Sequence, residues 1–172
     1  MTVQVRFRGG RVAALLALAS AGLLAGCQHG PAQRVGSDHV RVQTDAVFDK
    51  LVALRRDLHQ HPEAAGQEVR TAATVAARLR ALGLEVQTGL YGHSVVGILR
   101  GGQPGRTIAW RAELDALAGD YRDPAAFRSL NAGVHHACGH DGHMAIAMVA
   151  ARIIGKKRNL LKRSVTFCFQ PG

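Results

Sequence analysis

An α/β domain built around a strand, a crossover helix and a strand is what the sequence predicts, on three observations. Two segments repeat apolar residues at three- and four-residue steps. Four short runs rich in Val, Ile, Leu and Phe lie between Gly-rich turns. An apolar stretch from His140 to Ile154 separates the last two of those runs. The 172 residues are 47% apolar and 20% charged, which suffices for one domain with a core and excludes a disordered tail or a fibrous repeat. Aromatic residues make up 5%, too few for a base-stacking RNA surface.

In chain order, Thr44 is placed to cap a helix in which Val47, Phe48, Leu51, Leu54 and Leu58 share a face, ending near His61-Pro62. A second helix is expected from Gln67 to Leu82, with Val69, Ala72, Val75, Ala76, Leu79 and Leu82 on one side and Gly83 as its stop. Leu84 to Thr88 and Ser94 to Leu99 read as strands, and Gly101-Gly102-Gln103-Pro104-Gly105 turns the chain into a third, Thr107 to Arg111. A polar loop, Glu113 to His136, leads to the helix His140 to Ile154, closed by Gly155, and to a last strand, Ser164 to Phe169. A crossover helix between strands predicts that they run parallel. No internal repeat is visible.

Ahead of this domain, Arg6, Arg8 and Arg11 precede a 13-residue apolar run, Val12 to Leu24. That run is shorter than the ~20 residues of a spanning helix and has the pattern of a signal peptide. Leu24-Ala25-Gly26-Cys27 resembles the lipobox of bacterial lipoproteins. The resemblance implies cleavage before Cys27 and acylation of its thiol, and Gln28 in place of Asp implies an outer-membrane destination. A plain secretory peptide with an incidental Cys is the alternative. The expected organisation is a signal peptide over 1–26, a polar tether over 27–44 and a domain over 45–172. The expected location is the periplasmic face of the outer membrane, reached through a lipid anchor.

The chain has 22 Lys and Arg against 12 Asp and Glu. Without the signal segment, 19 cations face 12 acids, spread through Arg55-Arg56, Arg78, Arg80, Lys156-Lys157-Arg158 and Lys162-Arg163. Such scatter reads as solvated helix faces, and with no binding motif beside it nucleic acid is not the expected partner.

Chemistry concentrates in His135-His136-Ala137-Cys138-Gly139-His140-Asp141-Gly142-His143. Four histidines and a cysteine interleaved with Ala and Gly have little structural motive, since histidine is costly to bury unpaired. Thiolate plus imidazole suits zinc, cobalt, nickel or manganese better than calcium. The segment lies between strand and helix, at the edge where α/β sheets bind ligands, and the helix N-terminus favours a thiolate. A surface His cluster beside a reactive free Cys is the alternative. A Cys138–Cys168 disulfide is another, although Cys168 alternates with Phe167 and Phe169 as a packed apolar thiol would.

His136-Ala137-Cys138-Gly139-His140-Asp141-Gly142-His143 resembles the metal motif of the aminoacylase-type metallopeptidases. The matching branch is the amidohydrolases that include hippurate hydrolases, N-acyl-amino-acid deacylases and auxin-conjugate hydrolases. Arg56-Asp57-Leu58-His59-Gln60-His61-Pro62-Glu63 is similar to that branch's opening helix and turn, and Arg111-Ala112-Glu113-Leu114-Asp115-Ala116-Leu117 to its Arg-Ala-Asp-Met-Asp-Ala-Leu strand end. Phe169-Gln170-Pro171 is similar to the start of its Phe-Gln-Pro-small-Glu-Glu run.

The resemblance implies part of a zinc-peptidase-like (phosphorylase/hydrolase-like) three-layer α/β sheet with flanking helices. It implies Cys138 and His140 as ligands of a two-ion site holding manganese, zinc or cobalt, with Asp115 in an orienting role. Glu113 stands where Asp is usual and keeps the charge. His143 and Asp141 match the motif but are not implied as ligands, His143 being placed to help the substrate pocket or support the site; His136 matches the motif's first His, and His135 stands where Met is usual and reads as incidental. The implied substrates are N-acyl amino acids or small peptides.

In the family the Glu pair supplies the general base and a further ligand. Here Gly172 occupies the small position and is the last residue. The expectation is therefore a truncated, N-terminal fragment, inactive alone, without the family's inserted dimerisation domain. A non-catalytic exported lipoprotein remnant, or a module binding metal or an envelope partner, is the alternative.

If Cys27 is acylated, a fatty-acid analogue labels the protein and Cys27→Ala abolishes the label. Equal labelling of both forms contradicts the lipobox reading.

Overall fold

A computed structural model describes residues 36–172. The signal segment, Cys27 and the first part of the expected tether lie outside the described residues. The elements are α1 (Ser37–Asp45), α2 (Phe48–Gln60), α3 (Val69–Ala81), β1 (Glu85–Thr88), β2 (Val95–Leu99), β3 (Ile108–Glu113), β4 (Leu117–Ala118), β5 (Val134–His135), α4 (His140–Gly155) and β6 (Val165–Gln170). A 3-10 turn, Arg158–Leu160, joins α4 to β6. Among the described residues no helix is long and apolar enough to cross a membrane.

The sheet is mixed, in the order β1-β2-β6-β3. This corrects the expectation of parallel strands. Gly89 N donates to Ser94 O (3.0 Å) and Ser94 N to Tyr91 O (2.9 Å), closing a tight turn that makes β1 and β2 an antiparallel hairpin. β2 also pairs antiparallel with β6. Only β3 and β6, joined by the crossover through α4, run parallel. The hairpin was hidden because its turn is longer than the two-residue loops that announce one.

Ser37–Asp45, all but its last residue within the stretch expected as a tether, forms α1. It buries no residue, so it has no apolar stripe for a sequence reading to find. Thr44 belongs to its last turn, where the Oγ1 hydroxyl donates to Val40 O (2.9 Å), and Val47 precedes α2 in the cap position expected of Thr44.

The core forms on one face of the sheet. The register sets Val95 beside Phe169, Gly97 beside Phe167 and Leu99 beside Val165, all on one side by strand alternation. Val95, Leu99, Phe167 and Phe169 are buried together with Val75 and Leu79 of α3 and Met144, Ala147 and Ala151 of α4. Gly97 marks the crossing of α3. A Cβ there would lie 2.8 Å from Leu79 Cδ1 and 3.2 Å from Leu84 Cδ2, so only a bare backbone lets the helix approach this closely. Leu54 and Leu58 carry α2 onto the same cluster, where α2 packs along α4. Cys168 lies on the opposite face, half-buried, and both it and the exposed Cys138 are free.

Candidate metal centre

β3 and β6 end side by side, and Leu114 N donates to Gln170 O (2.7 Å) just past their last pair. The turn after α2 reaches the same edge, with Ala116 N donating to Glu63 O (2.7 Å). α4 opens here on Gly139, whose φ of 90° is one that side chains with a Cβ rarely adopt; Gly142 N and His143 N donate back to its carbonyl (3.0 and 3.1 Å). Asp115 and His140 thus meet at the carboxyl edge of the parallel pair, and Cys138 lies in the loop that enters α4 there.

His140 Nδ1 lies 2.9 Å from Asp115 O and 3.1 Å from Asp115 Oδ1. A backbone carbonyl only accepts, so Nδ1 carries the proton and Nε2 keeps the lone pair a metal ligand needs. Cys138 is an exposed, free thiol two residues before the first residue of α4. By donor chemistry the two fit a borderline metal ion. Among the described residues, no group of three or more His, Cys, Asp or Glu side chains is gathered to hold one.

Glu113 Oε2 accepts from His143 Nδ1 (2.8 Å) and Oε1 from Arg111 Nη1 (2.7 Å). The His143 hydrogen bond, more than the neighbouring cations, holds this carboxyl below its ordinary range. Arg111 Nε reaches on to Gln170 Oε1 (2.8 Å), so the ends of both strands share one polar chain.

Sequence reasoning missed the support behind the motif. Asp141 is fully buried, and its Oδ2 accepts from Arg55 Nε (2.7 Å) and His59 Nδ1 (2.7 Å). The other nitrogen of His59 meets Asp123 Oδ2 at 2.8 Å. Arg55 and His59 stand four residues apart on α2 and so share a face, which is a signal the sequence offered; Asp123 lies in the polar loop, where nothing marks it. Glu63 was read only as part of a motif. Its two oxygens accept from Arg70 N (3.0 Å) and Thr71 N (2.7 Å), capping α3.

His136 is buried, and neither ring nitrogen has a partner among the described residues. Burial pushes its pKa from 6.5 down to about 4, against an opposing pull from Asp141. With His59, Asp123, Phe127, His135 and Ala137 it lines a cavity of about 260 Å³ beside the Cys138 loop. His135, expected to be incidental, contributes one wall, and its ring meets Tyr121 edge-on with centroids 5.8 Å apart.

Residues 109–172 match peptidase family M20/M25/M40. The chain is 40% identical over 126 residues to thermostable carboxypeptidase 2 of Saccharolobus solfataricus, covering 73% of this chain and 32% of that protein. It is 38% identical over 133 residues to the N-acyl-L-amino acid amidohydrolase of Geobacillus stearothermophilus, covering 77% of this chain and 36% of that one. In structure it is similar to the Bacillus subtilis YXEP protein, described as a dinuclear metal binding peptidase from M20 family. The TM-score is 0.71 at 36% identity, over 74% of this chain and 36% of that one. Residues 109–172 carry the M20 family's sequence, and the similarity to its members extends over about three quarters of the chain. The chain spans about a third of the length of the curated M20 relatives it matches.

The burial of His136 fixes the sign of a pH dependence in the metal-free protein. The unfolded chain takes up a proton near 6.5, the folded one only near 4, so the unfolded state binds more protons in between. Stability is complete above 6.5 and falls as pH drops towards 4, by about 3 kcal/mol at full shift. Urea unfolding in a chelator at stepped pH shows this loss, and His136→Asn removes it. Parallel curves for the two proteins contradict the assignment.

Proposed function

We propose that the protein is a metal-dependent amidohydrolase cleaving the amide bond of N-acyl amino acids or small peptides. The observation that carries this reading is His140, whose Nδ1–H is committed to Asp115 and whose Nε2 is left to bind, two residues after Cys138 where the chain enters α4. Support comes from the relatives, one named for N-acyl-amino acids and one a carboxypeptidase, and from the dinuclear B. subtilis peptidase. Bound at this edge, divalent ions such as manganese, zinc or cobalt would polarise the scissile carbonyl and lower the pKa of water.

The chain's own residues have distinct tasks in this reading. Cys138 Sγ and His140 Nε2 hold the ion, and Asp115 fixes the imidazole's tautomer and orientation. His143 is exposed, and its Nδ1 is held by Glu113, so its Nε2 is available to a bound substrate. The cavity beside Ala137, at about 260 Å³, suits a group the size of one amino acid. We further propose that residues 1–26 are an export signal and that acylated Cys27 anchors the domain of residues 45–172, through the stretch 27–44, at the periplasmic face of the outer membrane.

The test is hydrolysis of hippurate and acetyl-amino acids in added manganese, zinc or cobalt. Because no group of three or more His, Cys, Asp or Glu side chains is gathered among the described residues, residues 1–172 alone are expected to show no turnover above background. A form in which Glu-Glu follows Phe169-Gln170-Pro171-Gly172 is expected to turn over, and Cys138→Ala to cost it about 10²-fold or more. An extended form without activity, or activity indifferent to Cys138→Ala, contradicts the proposal.

A further inference from the structure

We propose that the pole of the domain opposite the Cys138–His140 edge is a docking surface for an anionic lipid bilayer. This goes beyond the amidohydrolase reading and does not depend on Cys27 being acylated. The topology sets the two poles apart. β3 and β6 run parallel and both end at the metal-site edge. α4 starts at that edge, and its 16 residues carry the chain about 24 Å away.

At the far end of α4 the cations collect. Lys156 and Lys157 are exposed at its C-terminus, the turn Arg158–Leu160 follows, and Lys162 and Arg163 are exposed before β6. The loop after β2 is laced to the same turn. Gly102 N donates to Arg158 O (2.8 Å) and Gln103 N to Leu161 O (3.1 Å), which brings the exposed Arg106 alongside. Residues scattered in the sequence are thus neighbours in the fold.

No acidic side chain pairs with them among the described residues, and Lys156 Nζ donates instead to Gln43 Oε1 (2.6 Å). From Gly142 to Gly172 the chain contains no Asp or Glu. Among the described residues Lys157, Lys162, Arg163 and Arg106 make no ion pair, while Glu85 is taken by Arg100 at 2.8 Å. The acids Glu113, Asp115, Asp123 and Asp141 belong to the other pole, each tied to a His.

An apolar residue distinguishes the kind of polyanion. Leu160 sits in the middle of the basic turn with 55% of its surface exposed. Lone cations suit any polyanion, but a leucine ringed by Lys and Arg matches the bilayer interface, where its side chain enters the acyl boundary while the cations meet headgroup phosphates. Residues 156–163 hold no aromatic side chain on which a single-stranded nucleic acid would stack. Docked this way, the metal-site edge faces the aqueous side, open to small substrates.

The experiment is vesicle flotation of the full chain carrying Cys27→Ser, made by cell-free synthesis. Phosphatidylglycerol-containing vesicles are compared with pure phosphatidylcholine. The N-terminal segment is common to every variant, so differences between variants report the pole. K162E/R163E is expected to lower partitioning onto the anionic vesicles about tenfold or more, since each cation near such a surface contributes roughly fivefold. R122E/R128E changes net charge equally at the other pole and is expected to shift partitioning less than twofold. Leu160→Ser is expected to weaken binding severalfold even in high salt. Equal losses for the two charge-reversed proteins, or none for K162E/R163E, overturn the proposal. So does a K162E/R163E protein that keeps its vesicle binding while losing affinity for duplex DNA.

Discussion

The buried carboxylate of Asp141 is the constraint on which the site depends. A carboxylate removed from water must find partners, and Asp141 finds Arg55 Nε and His59 Nδ1, both at 2.7 Å and both on α2. Asp141 follows His140 directly and lies three residues beyond Cys138, so this ion pair fixes where the first turn of α4 stands. α2 packs along α4 through Leu54 and Leu58, and the charged contact sets the register of that packing at the end where the donors are. His59 in turn holds Asp123 at 2.8 Å, drawing the long polar loop over the cavity that His136 lines.

The same logic explains why a motif far in sequence from Cys138 and His140 belongs to the site. Pro62 and Glu63 form the turn between α2 and α3. Asn131 Nδ2 donates to Pro62 O (2.7 Å), Ala116 N donates to Glu63 O, and the Glu63 carboxylate caps α3. Buried Glu68 accepts from Gly66 N (3.0 Å) and Gly172 N (2.8 Å), tying that turn to the end of β6. Arg56 to Glu63 is thus a brace for the sheet edge, and its residues are dictated by backbone groups that need partners there.

Much of this was legible in the sequence, and what was not has a physical reason. The apolar faces of α2, α3 and α4 announced themselves because each packs on one side only, and β6 alternates Val165, Phe167 and Phe169 inward. Cys138 and His140 stood out because a cluster of thiol and imidazoles has no packing motive, whereas Asp115 was legible only through the resemblance of its strand end; the fold brings it within hydrogen-bond reach of His140 across 25 residues. Sheet direction was not legible, since the antiparallel β1–β2 and β2–β6 pairs depend on where the chain returns in space. Arg55 and His59 share a face of α2, but nothing in the sequence ties them to Asp141, 86 and 82 positions away, and α1 buries nothing that could announce it.

The account turns on Cys138 and His140 as donors to one ion, with His140 held by Asp115 through the nitrogen that does not bind. X-ray absorption on the zinc-loaded protein tests this most directly. The expected first shell contains one sulfur at about 2.3 Å and at least one imidazole nitrogen at about 2.0 Å. Cys138→Ala should remove the sulfur shell and His140→Ala should reduce the imidazole signal. A shell of nitrogen and oxygen alone in the unmodified protein, or a sulfur shell that persists without Cys138, would contradict it.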